Sequence, residues 1–451
     1  MSPSERPPPP PSARKHEVSA DVLVDGPARR RVLLTVAFTL FLDLAGFGII
    51  LPILPLYADD LGGSAIAVTL LSTTFSLAQF LMAPVLGSIS DRKGRRPVML
   101  ISIAGSVAAN LVLGFSTVLW LVFAARLVAG ASKANVSTAF AYVSDTVEPA
   151  ERARYMGLMG AALGLGFIVG PAMGGALAAG GDPTLPFFVS AGLSAVNWLM
   201  AWRWLPETRW ARDPRAEHAG ETDGEKVPEP RRLGLRQTLA RISGTPIAAV
   251  IGVYFIFFAG FASMESTFAL YYKAVYGWLE TETAMFLTYI GVVMVLVQGL
   301  LIGRLVARFG ESRTLVFGIF INALGLGALG GAPIVSALFD IPLVDADGGM
   351  TVFTGTMLAL AGFGIAGGNG IVNAAMGSIV SQLSTSEEQG FNMGVRESAG
   401  SLARISGPVV AGPVFEYVHP GAPMLLGGVL GVFNFVAALA LGRKLRAQGI
   451  R

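Results

Sequence analysis

The sequence predicts an all-α integral membrane protein of twelve transmembrane helices, arranged as two pseudo-symmetric six-helix bundles. Three observations carry this reading. Only 14% of the 451 residues are charged while 53% are hydrophobic, against about 25% charged in an ordinary soluble chain. Apolar stretches of the roughly 20 residues that a helix needs to cross a bilayer recur along the whole length. The two halves also repeat each other: Met156-Gly157, Gly170-Pro171 and Gly175 reappear as Met393-Gly394, Gly407-Pro408 and Gly412, each displaced by 237 residues. Gly87, Asp91, Arg92 and Gly94 face Gly303, Ala307, Arg308 and Gly310 at a displacement of 216, and the loop around 334–349 absorbs the change of offset. Long apolar runs in place of short alternating segments exclude a β-barrel.

The spans fall at roughly 33–56, 68–88, 97–116, 118–140, 154–179, 184–205, 246–271, 284–304, 313–333, 350–378, 390–416 and 423–442. The third and fourth are separated only by Ser116 and Thr117. This divides the chain into a Pro-rich tail (1–31) that reads as disordered, a first bundle (32–205), a charged linker (206–245), a second bundle (246–442) and a short tail (443–451). A surface helix is expected in the linker around Leu233–Leu239. The first apolar run is longer than the roughly 7–15 residues of a signal-peptide core and lacks a small-residue cleavage site.

An even number of spans puts both termini on one side. If that side is cytoplasmic, its segments hold 28 of the 33 Lys and Arg, and the opposite side shows only Lys273 beside Asp59, Asp60, Asp340, Asp345 and Asp347. Positive charge accumulates on cytoplasmic loops, so both termini are expected in the cytoplasm, and the net charge of +3 reflects this bias and not nucleic-acid binding. The chain has no cysteine, which excludes disulfides and thiolate metal sites. No metal and no cofactor is expected.

Two motifs stand out. Gly87-Ser-Ile-Ser-Asp91-Arg92-Lys93-Gly94-Arg95-Arg96 lies between the second and third spans, with glycines spaced for close helix approach and a tight turn. On the fifth span, Gly166, Gly170 and Gly174 recur every four residues along one helix face, with Gly157, Pro171 and Gly175 completing the pattern. The first string resembles the signature loop of the major facilitator superfamily, and the second the antiporter motif of its drug:proton exchangers. Asp43 with Gly46, Gly48, Pro52 and Pro55, Arg126 with Gly130, Asp145 with Arg152, and Leu205-Pro206-Glu207-Thr208 resemble the same branch, nearest in look to tetracycline exporters. One departure is that His16, His218 and His419 all lie outside the spans, whereas tetracycline exporters use an intramembrane histidine. The resemblance implies that Gly87, Asp91, Arg92, Gly94 and Arg95 form a cytoplasmic gate. It also implies that the first, fourth, seventh and tenth helices surround a central cavity.

Charges within the bilayer carry the expected mechanism, because each costs at least ~2.5 kcal/mol at the midplane unless it meets a partner or a wet cavity. Asp43, Arg126 and Glu265 are candidates for proton coupling, with changes in the distance from Asp43 to Arg126 switching the protonation of Asp43. Lys133 follows Arg126 by seven residues, about 10 Å along the same face; it, Asn369 and Asn373 are candidate cavity or substrate contacts. Glu397 and Arg404, also seven apart, are expected to form a structural ion pair. The function these residues imply is proton-coupled export of a small amphipathic molecule by alternating access, in a monomer in the cell's inner membrane. A symporter or facilitator on the same fold is the alternative. A membrane enzyme would need a nucleophile–base pair or metal cluster that the spans do not carry.

Overall fold

The computed structural model describes residues 27–133, 135–147, 149–207, 242–345, 349–384 and 388–447. The tail before residue 27 and the linker helix expected around Leu233–Leu239 lie outside these residues. Twelve helical spans run back and forth, so that Pro27 and Ala447 open and close the described chain on one face, here termed the terminal face, opposite a distal face. The first span is α1 (Pro27–Ile50) and α2 (Leu54–Asp60); the second and third are α3 (Ala65–Lys93) and α4 (Arg95–Gly114). The fourth is α5 (Leu119–Ala131) and α6 (Asn135–Thr146); the fifth and sixth are α7 (Pro149–Ala178) and α8 (Leu185–Trp204). The seventh is α9 (Pro246–Tyr276), and the eighth joins α10 (Glu280–Leu296) to α11 (Ile302–Phe309) through a π-helical turn, Val297–Leu301. The ninth to twelfth are α12 (Glu311–Phe339), α13 (Val352–Gln382), α14 (Gln389–Tyr417) and α15 (Ala422–Ala447).

Among the described residues ten helices are long and apolar enough to cross a bilayer. The other two spans are the fourth and the eleventh, which carry Arg126 and Lys133, and Arg396, Glu397 and Arg404 respectively. The outward faces are apolar, with Leu81, Leu127, Leu360 and Phe433 more than half exposed, as lipid contact requires. Trp202 and Trp204 at one end of the sixth span and Trp120 at the start of the fourth are also exposed, at the depth where amphipathic rings favour the membrane interface.

The internal repeat is physical. Gly94 and Gly310 both hold positive φ, +102° and +79°, where a side chain would be strained. Asn197 on the sixth span donates to the Thr39 carbonyl of the first (3.3 Å), and Asn434, 237 residues later, donates to the Val253 carbonyl of the seventh (2.9 Å). The antiporter-type glycines repeat their packing as well. Gly166, Gly170 and Gly174 lie against the first-span backbone: a Cβ on Gly170 would sit 2.6 Å from the Ala45 carbonyl oxygen and 2.7 Å from Gly48 Cα. Gly175 turns the other way, toward Ala284 of the eighth span. In the second half, Gly407 packs on the Ala259 carbonyl of the seventh span, while Gly412 meets Thr69 and Ile66 of the second. The fifth and eleventh spans therefore each bind tightly within their own half and reach across to the other.

Those crossings define the conformation. Near the distal face one hydrophobic core joins both halves, running from Ile53, Leu56 and Tyr57 to Phe268, Tyr272 and Leu329. Lys273 of the seventh span bridges to Asp59 (2.8 Å) and Asp60 (3.3 Å) of the first. Toward the terminal face the cores separate, one made of first-half residues around Leu33, Met99 and Tyr142, another of second-half residues around Tyr254, Met376 and Leu441. Side chains added at Gly87, Gly157, Gly303 or Gly394 would meet nothing within 4 Å. The protein is closed at the distal face and parted at the terminal face.

Because the groove at Gly170 is lined by backbone, neighbouring atoms cannot yield cheaply; overpacking of this kind costs about 1–3 kcal/mol. Gly170→Leu should lower the thermal midpoint of the purified protein by several degrees and abolish transport, whereas Gly157→Ala should leave the midpoint unchanged. Intrinsic tryptophan fluorescence during a thermal ramp measures both; equal midpoints would show that the groove is loose.

Candidate functional site

The site is assembled where helices break. The first span stops at Ile50 and restarts at Leu54, with Pro52 in the gap and Pro55 in the next turn; proline lacks the amide hydrogen that would continue the helix. The fourth span breaks next to Lys133, whose N–H donates to the Gly130 carbonyl (3.1 Å) to end α5. Gly130 itself lies against the Phe75 carbonyl of the second span with no room for a Cβ. That close approach sets the Arg126 guanidinium over the Phe75 ring, 4.2 Å from its centroid.

Lys133 Nζ donates to Asp43 Oδ2 at 2.7 Å, with the two side chains only 14% and 5% exposed, and lies 5.4 Å from the Phe47 ring centre. Asp43, Lys133 and Arg126 line a pocket inside the first half, bounded also by Asn110 and Ser194. Asn110 donates to Ser190 Oγ (2.8 Å), which donates to the Gly46 carbonyl (2.9 Å), fixing the sixth span beside Asp43. Arg126 and Phe75 form a wall shared with a larger cavity between the halves, which contains about 680 Å³ of space not filled by protein atoms. Arg126, Glu265, Arg404, Ser72, Ser76 and Ser266 are its polar lining. Glu265 is close enough to interact electrostatically with both arginines. A third pocket, lined by Phe261, Phe268, Tyr272 and other apolar side chains, adjoins this cavity through Leu51 and Glu265.

At the terminal face, Glu207 accepts from the Arg95 backbone N–H (3.0 Å) at the first turn of the third span. The Arg95 guanidinium donates to Ser90 Oγ (3.1 Å), and Arg96 donates to the Trp202 carbonyl (2.7 Å). Gly94 leaves space that a Cβ would take from the Glu207 carboxylate. Arg29 pairs with Glu151 on the same face. The side chains of Asp91, Arg92, Asp145 and Arg152 lie outside the described residues.

Comparison with known proteins decides what kind of site this is. Residues 36–344 match the family described as Major Facilitator Superfamily. The chain belongs to that superfamily. It is 29% identical over 388 residues, covering 85% of this chain and 89% of the relative, to the class C tetracycline resistance protein of Escherichia coli. Multidrug resistance protein 1 of Bacillus subtilis is 24% identical, with 86% and 91% covered. Among solved structures, the human organic anion transporter MFSD10 (TETRAN) superposes with a TM-score of 0.62 at 25% identity, covering 92% of this chain and all of that one. The nucleoside transporter NupG gives a TM-score of 0.67 at 15% identity, with 91% and 98% covered, which speaks to the fold alone. As a superfamily member this chain is a secondary active transporter and not an enzyme, and the cavity between its halves is where a transported molecule has room to bind.

The structure places several of these residues with partners that the sequence reading did not give them. Asp43 is paired with Lys133, because the fourth-span break turns Lys133 back toward the first span, while Arg126 is drawn onto Phe75. Lys133 is thereby engaged with Asp43 in this conformation. Glu397 pairs with its neighbour Arg396 (2.5 Å) and is 58% exposed, while Arg404 enters the central cavity. Asn373 donates to Asn369 Oδ1 (2.8 Å) within their own helix. Glu265 lines the central cavity. Sequence reasoning missed the roles of Glu207, Asn110 and Asn197; the 237-residue repeat that matches Asn197 to Asn434 was the available signal.

Removing one member of a buried ion pair is costly because the other charge is left behind, by about 3–5 kcal/mol. Lys133→Gln should therefore lower the thermal midpoint, and adding Asp43→Asn should restore much of it. A double-mutant cycle on detergent-purified protein measures the coupling; additive losses would mean that the pair does not hold the two spans together.

Proposed function

We propose that this carrier exports a small amphipathic molecule outward across the bacterial inner membrane while protons move inward. The observation that carries the reading is the buried Asp43–Lys133 ion pair, one side chain away from the central cavity. An intramembrane carboxylate paired with a lysine can exchange that lysine for a proton. The proton then removes the cost of the bare charge and frees Lys133. The names of the relatives, tetracycline and multidrug resistance proteins, agree with an exported drug or metabolite.

In this scheme the terminal face is cytoplasmic, as the Lys and Arg distribution favours, so the parted state loads substrate from the cytoplasm. Asp43 is the proton carrier, and Arg126 and Glu265 carry its state to the substrate cavity. The loop from Gly87 to Arg95 closes the cytoplasmic side when the halves rock, with 32–205 and 246–442 as the moving bundles, 206–245 as the linker and one chain as the working unit.

Asp43→Asn tests the coupling, since it removes the titratable group while nearly keeping volume and hydrogen bonding. In everted vesicles, the variant should still exchange substrate down its gradient but lose accumulation driven by a pH gradient. A panel of amphipathic dyes and antibiotics, first screened in a host lacking its own efflux pumps, supplies the substrate. Retained pH-driven accumulation would pass the proton-carrying role to Glu265.

A further inference from the structure

We infer that Arg404, on the eleventh span, and Arg126, on the fourth, form an anion clamp that selects amphipathic organic monoanions, with the apolar body of the substrate in the aromatic pocket beyond Glu265. This assignment rests on the reading of the central cavity as the transported molecule's site. The charges lining that cavity are two guanidinium groups and one carboxylate, an excess of one positive charge inside the membrane. The neighbouring Asp43 is paired with Lys133. Among the described residues neither arginine has a carboxylate within 4 Å: Arg126 rests on Phe75, its Nε lacks a hydrogen-bond partner, and Arg404 opens into the cavity. An uncompensated intramembrane charge is expensive, so a cargo bearing one negative charge repays its own desolvation by neutralising the site.

The geometry supplies the rest of the selection. Arg126 belongs to the first half and Arg404 to the second, so an anion between them is held by both bundles. The adjoining pocket meets the cavity at Leu51 and Glu265. Its walls are Phe167, Phe261, Met264, Phe268 and Tyr272 with aliphatic neighbours, and Glu265 stands at the junction. These walls offer a flat apolar body an aromatic surface to pack against, and Glu265 repels an anion that enters reversed.

The test uses the purified full-length chain in detergent and three rigid probes of matched shape: naphthalene-2-sulfonate, neutral naphthalene-2-sulfonamide and the cation (2-naphthylmethyl)trimethylammonium. Calorimetric titration should rank the anion first. Arg404→Gln should weaken sulfonate binding at least about tenfold, as expected for losing a charge-assisted hydrogen bond, with sulfonamide affinity changed by less than about twofold. Glu265→Gln should tighten sulfonate binding, and it reads the clamp even if Arg404→Gln does not fold. Preference for the neutral or cationic probe, equal loss of all probes in Arg404→Gln, or no gain in Glu265→Gln overturns the clamp. Proton-driven uptake in everted vesicles separates the two readings. Arg404-dependent sulfonate binding without pH-driven transport leaves the clamp and removes proton-coupled export; pH-driven export without sulfonate selectivity removes the clamp alone.

Discussion

Charge that sits in hydrocarbon must be answered by another charge, by an aromatic face or by a cavity, and this protein uses all three within one region. Lys133 answers Asp43 directly, Phe75 shields Arg126, and the central cavity receives Glu265 and Arg404. Each solution depends on a local departure from regular helix or on a missing side chain. The break in the fourth span brings Lys133 to Asp43, and Gly130 allows the Arg126 turn to reach Phe75. Had α5 and α6 been one straight helix, the two cations would lie along a single face, as their spacing in sequence suggests. The break is what separates a sealed ion pair from an open one.

The glycine contacts explain how such a site can move without coming apart. The first and fifth spans meet backbone to backbone at Gly166, Gly170 and Gly174, and the seventh and eleventh meet similarly at Gly407. Contacts this close, with no flexible side chain between them, resist sliding, so each half shifts as a body. The contacts between halves differ in kind: Gly175 against Ala284, the Ile66 N–H to Glu416 (3.1 Å), and the distal Lys273 bridges. They surround the distal hydrophobic core that joins the halves, and among them the exposed ion pairs contribute only about 0–1 kcal/mol. Exchange between faces thus parts the contacts between halves, the distal core included, while the backbone contacts within each half persist.

The fold was legible in the sequence because lipid imposes one dominant requirement, a sufficient run of apolar residues. The eleventh span, expected at roughly 390–416, is Gln389–Tyr417, even though its charges keep it below the hydropathy of the other spans. The helix breaks were less visible: Pro52 and Pro55 mark one, but nothing in the residues around Lys133 announces the other. Partners of charged side chains were not legible. Arg126 and Lys133 share a helix face and both suited Asp43, and the choice turned on how the first, second and fourth spans cross. For Glu397 the seven-residue spacing to Arg404 suggested a shared face, yet the long side chain of adjacent Arg396 reaches it and leaves Arg404 to the cavity.

The eleventh span has a double duty. Its middle presents Arg404 to the cavity, and about one and two turns further on Gly407 and Gly412 seat it against the seventh and second spans. A change made there to alter what the carrier accepts also alters the surfaces on which its halves pivot. Substrate range and turnover rate are therefore inherited together along this helix. Variants that broaden the range without slowing the cycle would have to arise away from this helix, among the other walls of the aromatic pocket.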